Sequence, residues 1–225
     1  MNISKIKGLK YPDEQFIKYF FKNNFPTKKN LKFIEFGCSN GNNLMLPYQY
    51  GFEVIGIDLD KISIDYANEN FTKINGVNGD FNFHIKDMIL FAQENKDIEA
   101  DIFLLPNIVN YIKKDALITF LNMMIKNNNI KSGASFFMRC RTPKDFRFGI
   151  GERIEDNTYK LDKSFTITGE ASCLNKFYTE YELVSMLKKN LNLRDFQVLH
   201  TECDTLHEQN TLVFNSDIVV WGTIN

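Results

Sequence analysis

Leu31-Lys32-Phe33-Ile34-Glu35-Phe36-Gly37-Cys38-Ser39-Asn40-Gly41-Asn42-Asn43-Leu44 carries the deciding signal of this chain. An apolar run ends on an acidic residue and breaks into a loop of small residues. Glycines stand at 37 and 41, a serine midway, and asparagines where a helix would begin. The order predicts strand, loop and helix, at a junction where backbone can come close to a ligand. A second apolar run, Val54-Ile55-Gly56-Ile57, ends on Asp58. The two together point to a nucleotide-type site.

Working outward, residues 11–25 place Phe16, Ile17, Phe20 and Phe21 at helical spacing behind Pro12-Asp13-Glu14, which suits a first turn. That helix either only covers the sheet or also roofs the pocket. Residues 1–10 read as a basic, partly mobile lead-in. Downstream, a helix over 42–48 is cut short by Pro47, and strand 53–57 follows. Then come helix 60–71, strand 81–85, a short helix 88–95, strand 100–105, helix 113–127 and strand 134–140. Strands alternating with helices imply βαβ units, an α/β fold with a largely parallel sheet. The stretch 141–176 is polar and irregular, too long for an ordinary connection, and reads as an insertion or lid. Helix 179–190 opens with Thr179 and Glu182 in a capping-box pattern. Strands 196–201 and 217–224, joined by a link over 204–211, must pair as a hairpin, so an antiparallel strand ends the sheet. The expected organisation is one domain over residues 1–225.

Bulk properties exclude several classes. The 225 residues carry a net charge of −1, against a dedicated nucleic-acid binder, which shows a basic excess or stripe. The four cysteines form no CxxC pair, so neither a zinc site nor a disulfide framework is expected and a reducing cytosol is the default. No apolar run reaches the roughly 18 residues of a membrane span. A soluble, cytoplasmic protein with no bound metal is expected; oligomeric state is not legible.

The loop discriminates between cofactors. A dinucleotide cradle needs G-x-G-x-x-G, whereas Gly37-x-Ser39-x-Gly41-x-Asn43 is spaced two and two and lacks the helix-packing glycine. No Gly-Lys-Ser/Thr follows, which excludes a P-loop. With Glu35 ahead of it, the loop resembles the first motif of the class I S-adenosylmethionine-dependent methyltransferases, an acidic residue followed by G-x-G-x-G. Ser39 in the middle position is a mild departure. Asp58, ending Gly56-Ile57-Asp58-Leu59-Asp60, sits where that family holds the ribose hydroxyls. Asp87-Met88 resembles the acidic-plus-apolar pair that receives adenine. Asp101-Ile102-Phe103-Leu104-Leu105-Pro106-Asn107 resembles the fourth motif, at the methionine end.

The resemblance implies a three-layer α/β/α sandwich, with a seven-stranded mostly parallel sheet and a reversed last strand. It implies an S-adenosylmethionine-dependent methyltransferase, with S-adenosylhomocysteine as product. The implied cofactor residues are Glu35, Gly37, Ser39, Gly41, Asn43, Asp58, Leu59, Asp87, Met88, Pro106 and Asn107. Asp58 can accept two hydrogen bonds from a diol, and Met88 offers a soft apolar face. Glu35 bonds either the loop backbone or, through water, the cofactor's ammonium. Asp87 also fits a plain helix cap.

The acceptor side is thinner. Tyr111, Arg139, Arg141, Arg147 and Arg153 are the expected substrate residues. Arginines over a pocket suggest an anionic acceptor, since guanidinium grips carboxylate or phosphate in fork geometry. His207, in the link before the last strand, is the candidate base. The expected activity is methyl transfer to oxygen or nitrogen of a small-molecule or glycan-type acceptor. The alternative is a non-catalytic S-adenosylmethionine-binding regulator or partner subunit of the same fold.

Overall fold

The computed structural model describes residues 3–74, 79–207 and 211–225, His207 by its backbone alone. In chain order the elements are α1 (Glu14–Lys22), β1 (Lys32–Phe36), α2 (Met45–Gln49), β2 (Glu53–Asp58), α3 (Lys61–Thr72) and β3 (Phe81–Ile85). There follow α4 (Met88–Glu94), β4 (Ala100–Pro106), α5 (Lys114–Lys126), β5 (Ile130–Arg141), β6 (Glu152–Glu155) and β7 (Thr158–Lys160). The chain closes with β8 (Leu174–Lys176), α6 (Glu180–Leu191), β9 (Leu193–His207) and β10 (Thr211–Ile224).

The main sheet runs β3-β2-β1-β4-β5-β10-β9. Its first five strands pair in parallel, and β10 is antiparallel to both β5 and β9. The reversed strand is thus last in the chain but lies inside the sheet, and the edge belongs to β9. Side chains alternate across the pleat and feed two cores. Ile34, Phe36, Phe103, Leu105, Phe136 and Met138 pack with α4, α5 and α6. Phe33, Ile102, Leu104, Phe137 and Trp221 pack on the other side with Phe16, Tyr19 and Phe20 of α1. Three layers result. Each buried Phe contributes about 2 to 3 kcal/mol, so the aromatic facing of α1 fixes that helix firmly on the sheet. The Tyr19 hydroxyl lies 2.6 Å from Ser135 Oγ, which satisfies that polar atom inside the cluster.

Aspartates start three helices that border the site. Asp13 accepts from the N–H groups of Gln15 and Phe16, Asp60 from Ile62 and Ser63, and Asp87 from Ile89 and Leu90. Each cap is worth about 1 kcal/mol. Thr179 caps α6 through the Glu182 N–H, but the Glu182 carboxylate is taken by Lys114 and Lys176. Only half of the expected capping box forms.

Four expectations are corrected. The helix after the glycine loop begins at Met45 rather than 42, because the asparagine side chains are used elsewhere. Residues 3–13 are docked, not loose. Asn40 donates to the carbonyls of Lys7 and Leu9 and accepts the Leu9 N–H; Asn42 donates to Tyr11 O. Asn43 accepts the Asp13 N–H, and Asn70 exchanges two bonds with Lys7. The segment 7–13 is a strap across the glycine loop. Third, residues 141–176 are only partly irregular: within them β6, β7 and β8 form an antiparallel three-stranded sheet, with turns and loops around it. Fourth, residues 204–207 and 211 of the expected link are strand; 208–210 lie outside the described residues. Residues 201–206 pair continuously with 212–217, held by backbone ladder bonds rather than by an apolar pattern.

Candidate active site

β1, β2 and β4 end side by side, and their loops converge. Gly37, Ser39 and Gly41 all take positive φ, at 71°, 48° and 73°. Serine pays a strain at such a backbone angle that glycine does not. A Cβ on Gly37 would meet Ile108 at 2.7 Å, so the β1 loop and the chain after β4 touch through a position only glycine fits. Asp58 fixes the loop from β2: its Oδ2 accepts the Ser39 N–H at 2.8 Å, and its Oδ1 accepts the Asp60 N–H at 2.9 Å.

Two cavities meet at Gly37. One, of about 140 Å³, is lined by Ile57, Asp58, Leu59, Lys86, Asp87, Met88, Ile108 and Tyr111 among others. The other, of about 290 Å³, lies under the strap between Leu9, Tyr11, Pro12 and Asp13 on one side and Ser39, Asn42, Asn43, Pro106 and Asn107 on the other. The first is the more apolar and has the carboxylates of Asp58 and Asp87 in its lining. Both cap bonds of Asp87 fall on Oδ1, leaving Oδ2 outside the cap. The helix-cap reading of Asp87 is therefore observed, and it coexists with a place on the cavity wall.

Glu35 is buried behind Asn43, which lines the second cavity. Its Oε1 accepts from Asn43 Nδ2 at 2.7 Å, while Oε2 is buried without a hydrogen-bond partner. The contact is to an asparagine side chain, not to the loop backbone. Burial pushes the carboxyl up to about 8; the Asn43 bond opposes the rise, and Asp13 and Asp58 add to it. An orphaned carboxylate oxygen behind a cavity wall suits an incoming ammonium. Asp58 and Asp87 suit a ribose diol and an exocyclic amine.

The expected cofactor residues Gly37, Ser39, Asn43, Asp58, Leu59, Asp87, Met88, Pro106 and Asn107 all line these cavities. Glu35 stands behind Asn43. Gly41 acts differently: a Cβ there would meet Phe71 at 2.8 Å, so it serves packing against α3. The strap residues, Asn40, Asn42 and Ile108 were missed; the asparagine run was the available signal, and it was read as the start of a helix.

The arginines do not face the site as free cations. Arg139 is held by Asp13 at 2.5 Å and Asp217 at 2.6 Å. Arg141 binds Glu170 at 2.5 Å and also the Asn175 side chain, and Arg147 binds Asp145 at 2.8 Å and Glu170 at 2.6 Å. Arg153 pairs with Asp156 on the surface. Glu170 is the centre of this cluster, accepting also from Tyr111 and Thr168 at 2.7 Å each. Burial works against its charge, yet Tyr111, Arg141, Thr168 and Arg147 together bring its carboxyl down to about 2. The cluster is structural: it ties the small β6–β8 sheet to Tyr111 on the cavity wall. Sequence offered no sign of Glu170.

His207 is also corrected in position. It ends β9 opposite Thr211, not in a link. It lies on the edge strand, six residues past the Thr201–Asp217 pair, roughly 20 Å along the hairpin. Four strand spacings, about 19 Å, separate β9 from β1. Its backbone position does not support a base at these cavities. His84 packs on Phe91, and His200 pairs with Glu180. Among the described residues no group of histidine, cysteine or acidic side chains could hold a metal.

No protein-family model and no curated protein matches the sequence. Solved structures do match. A SAM-dependent methyltransferase from Methanosarcina mazei superposes with a TM-score of 0.66 at 14% identity, covering 91% of this chain and 98% of its own. The 1,6-didemethyltoxoflavin-N1-methyltransferase of Burkholderia thailandensis, with bound 1,6-didemethyltoxoflavin and S-adenosylhomocysteine, gives 0.60 at 14% identity, covering 94% and 77%. Magnesium protoporphyrin IX methyltransferase from Synechocystis, with bound SAM, gives 0.54 at 10% identity, covering 91% and 76%.

The chain has the class I methyltransferase fold. In that fold the strand order and the inserted β10 account for both cores, and the paired cavities lie at the carboxyl ends of β1, β2 and β4, where open α/β sheets bind ligands. No helix among the described residues is long and apolar enough to cross a membrane.

Proposed function

We propose that the chain is an S-adenosylmethionine-dependent methyltransferase acting on oxygen or nitrogen of a small-molecule acceptor, glycan precursors included. One observation carries this: the two cavities share Gly37, with Asp58 and Asp87 lining one and Asn43, the partner of the buried Glu35, lining the other. A nucleoside joined to an amino acid matches that division. Two of the structural neighbours are named for small-molecule acceptors, which supports the same class. Four unpaired cysteines support a reducing, cytoplasmic setting.

S-adenosylmethionine, when bound, supplies an electrophilic methyl group on a sulfonium and ends as S-adenosylhomocysteine. The chain's own residues bind and orient. Asp58 would hold the ribose hydroxyls while keeping the Ser39 N–H, so loop and ligand are positioned by one carboxylate. Asp87 and Met88 would receive the adenine, and Glu35 with Asn43 would face the ammonium. The strap would cover the methionine end, excluding water from the transferring group.

Isothermal titration of the full chain with S-adenosylhomocysteine tests this directly. Binding at micromolar concentration is expected, and no heat with either form of the cofactor refutes it. A labelled-cofactor screen of acceptors then separates an enzyme from a cofactor-binding partner subunit.

A further inference from the structure

Between Lys7 and Asp13 the chain crosses the glycine loop as neither helix nor strand. The two ends of this crossing are fixed. Lys7 exchanges two backbone bonds with the Asn70 side chain and sets its ammonium 2.6 Å from Glu69, both on α3. Asp13 is bound by Asn43 and Arg139 and caps α1. The span between them is held differently. None of residues 8–11 is buried; Leu9 is 59% exposed and Tyr11 66%. Lys10 turns its ammonium back to the carbonyls of Ile3 and Ile6 rather than to the loop. Side-chain amides do the holding. Asn40 donates to Lys7 O and Leu9 O and accepts the Leu9 N–H, and Asn42 donates to Tyr11 O at 2.9 Å. Gly8, at a φ of 76°, turns the span onto Asn40; a Cβ there would meet the amide carbon of Asn40 at 2.8 Å.

Lifting this span off the loop draws no apolar side chain out of a core, and water replaces the few bonds that are lost. Segments of that kind open locally while the rest of a fold stays closed. The span is also one wall of the cavity given above to the amino-acid end of the cofactor: Leu9, Tyr11 and Pro12 face Ser39, Asn42 and Asn43 across it. A ligand seated there has the strap across it. Resting on the methyltransferase reading above, we propose that residues 8–12 are a gate on cofactor exchange, pinned at Lys7 and Asp13, turned at Gly8 and latched by Asn40 and Asn42. The cofactor enters and its demethylated product leaves while the latch is undone; the closed span retains them. Asn40 holds the span without lining the cavity, so latch and ligand contact are separable in this chain. A gate has a kinetic signature that a contact lacks. Loss of a ligand contact appears in the release rate and therefore in affinity. A weaker latch raises the open fraction with and without ligand, so association and release accelerate together while affinity hardly moves.

The test measures association and release of S-adenosylhomocysteine on the immobilised full chain by surface plasmon resonance. Titration calorimetry with wild type comes first; no heat there overturns the cofactor reading and this inference with it. With binding established, Asn40→Ala should speed association and release by at least about five-fold each, with Kd within about three-fold of wild type. Gly8→Ala keeps every asparagine and pushes the span away from Asn40 by contact, so both rates should rise together there as well. Neither residue lines the cavity. Should Asn40→Ala lose its fold by circular dichroism, Gly8→Ala decides alone. Faster release with unchanged association would make the span a plain ligand contact. Unchanged rates would mean that the cofactor passes a fixed strap. Either result overturns the gate while the cofactor reading stands.

Discussion

Asn43 Nδ2 donates to Glu35 Oε1 at 2.7 Å, the one hydrogen bond of the buried Glu35 carboxyl among the described residues. The asparagine's Oδ1 holds the Asp13 N–H at 2.7 Å, so one side chain joins the buried carboxyl to the strap. Glu35 has an ordinary value of 4.5 when unfolded and about 8 in the fold, chiefly through burial. Between those values the folded chain holds a proton that the unfolded chain has released, so stability falls as pH rises across the window. The loss is up to about 5 kcal/mol by the end of it. Glu35→Gln should remove the dependence. Urea unfolding at about pH 5 and about pH 8 should show the variant gaining on wild type as pH rises; a constant difference would mean that the carboxyl is ionised in the fold.

Asp58 holds the glycine loop and, in the proposed function, the cofactor's ribose as well. Replacing it with Ala removes the acceptor of the Ser39 N–H and the expected diol contact together. Affinity for S-adenosylhomocysteine should fall by about 2 kcal/mol, in the range for charged hydrogen bonds, with the far-ultraviolet circular dichroism unchanged. Undiminished affinity by titration calorimetry would remove Asp58 from the ribose site.

Asn40 separates strap from sheet. Its amide makes three bonds to the backbone of Lys7 and Leu9, and Asn40→Ala removes them all while leaving the core intact. At about 1 kcal/mol for each bond, the strap should open far more often. Trypsin cleavage after Lys7 and Lys10 should speed up by at least about ten-fold in the variant, a factor worth roughly 1.4 kcal/mol in the opening equilibrium. Equal cleavage rates would mean that the apolar contacts of Ile6 hold the strap without Asn40.

The fold was legible because it rests on patterns that sequence displays directly. Runs such as Phe33-Ile34-Glu35-Phe36 and Val54-Ile55-Gly56-Ile57 mark buried parallel strands, and carboxylates at their ends mark the loops. The cavity residues followed from those ends. What escaped is interaction between distant polar groups. Arg141 and Arg147 look identical in sequence whether they face an anion or bind Glu170, because pairing across 23 to 29 residues leaves no periodic trace. Asn40, Asn42 and Asn43 have the chemistry of helix caps, and it was spent on backbone some thirty residues upstream. The long hairpin was underestimated for a related reason. Beyond Thr201 it is ladder-bonded but carries few buried side chains, so alternation fades where the strand continues.

Glu170 supplies a second pH dependence of opposite sign. It neutralises Arg141, whose side chain is 11% exposed and whose other partners are Asn175 and Tyr111. Glu170→Gln leaves Arg141 buried without a counter-charge, while Arg147 keeps Asp145; a loss of about 3 kcal/mol is expected. Since the carboxyl is held near 2 against an ordinary 4.5, its stabilisation is present above about 4.5 and lost as pH falls toward 2. Wild type should therefore lose its advantage over Glu170→Gln between about pH 4.5 and pH 2, on the acid side of the window in which Glu35 acts. Tyr111 lines the cavity with Asp58 and is fixed by the same carboxylate, so the variant should also bind S-adenosylhomocysteine several-fold more weakly. A stability difference independent of pH, with cofactor affinity unaltered, would reduce the cluster to surface ion pairing and detach the β6–β8 sheet from the site.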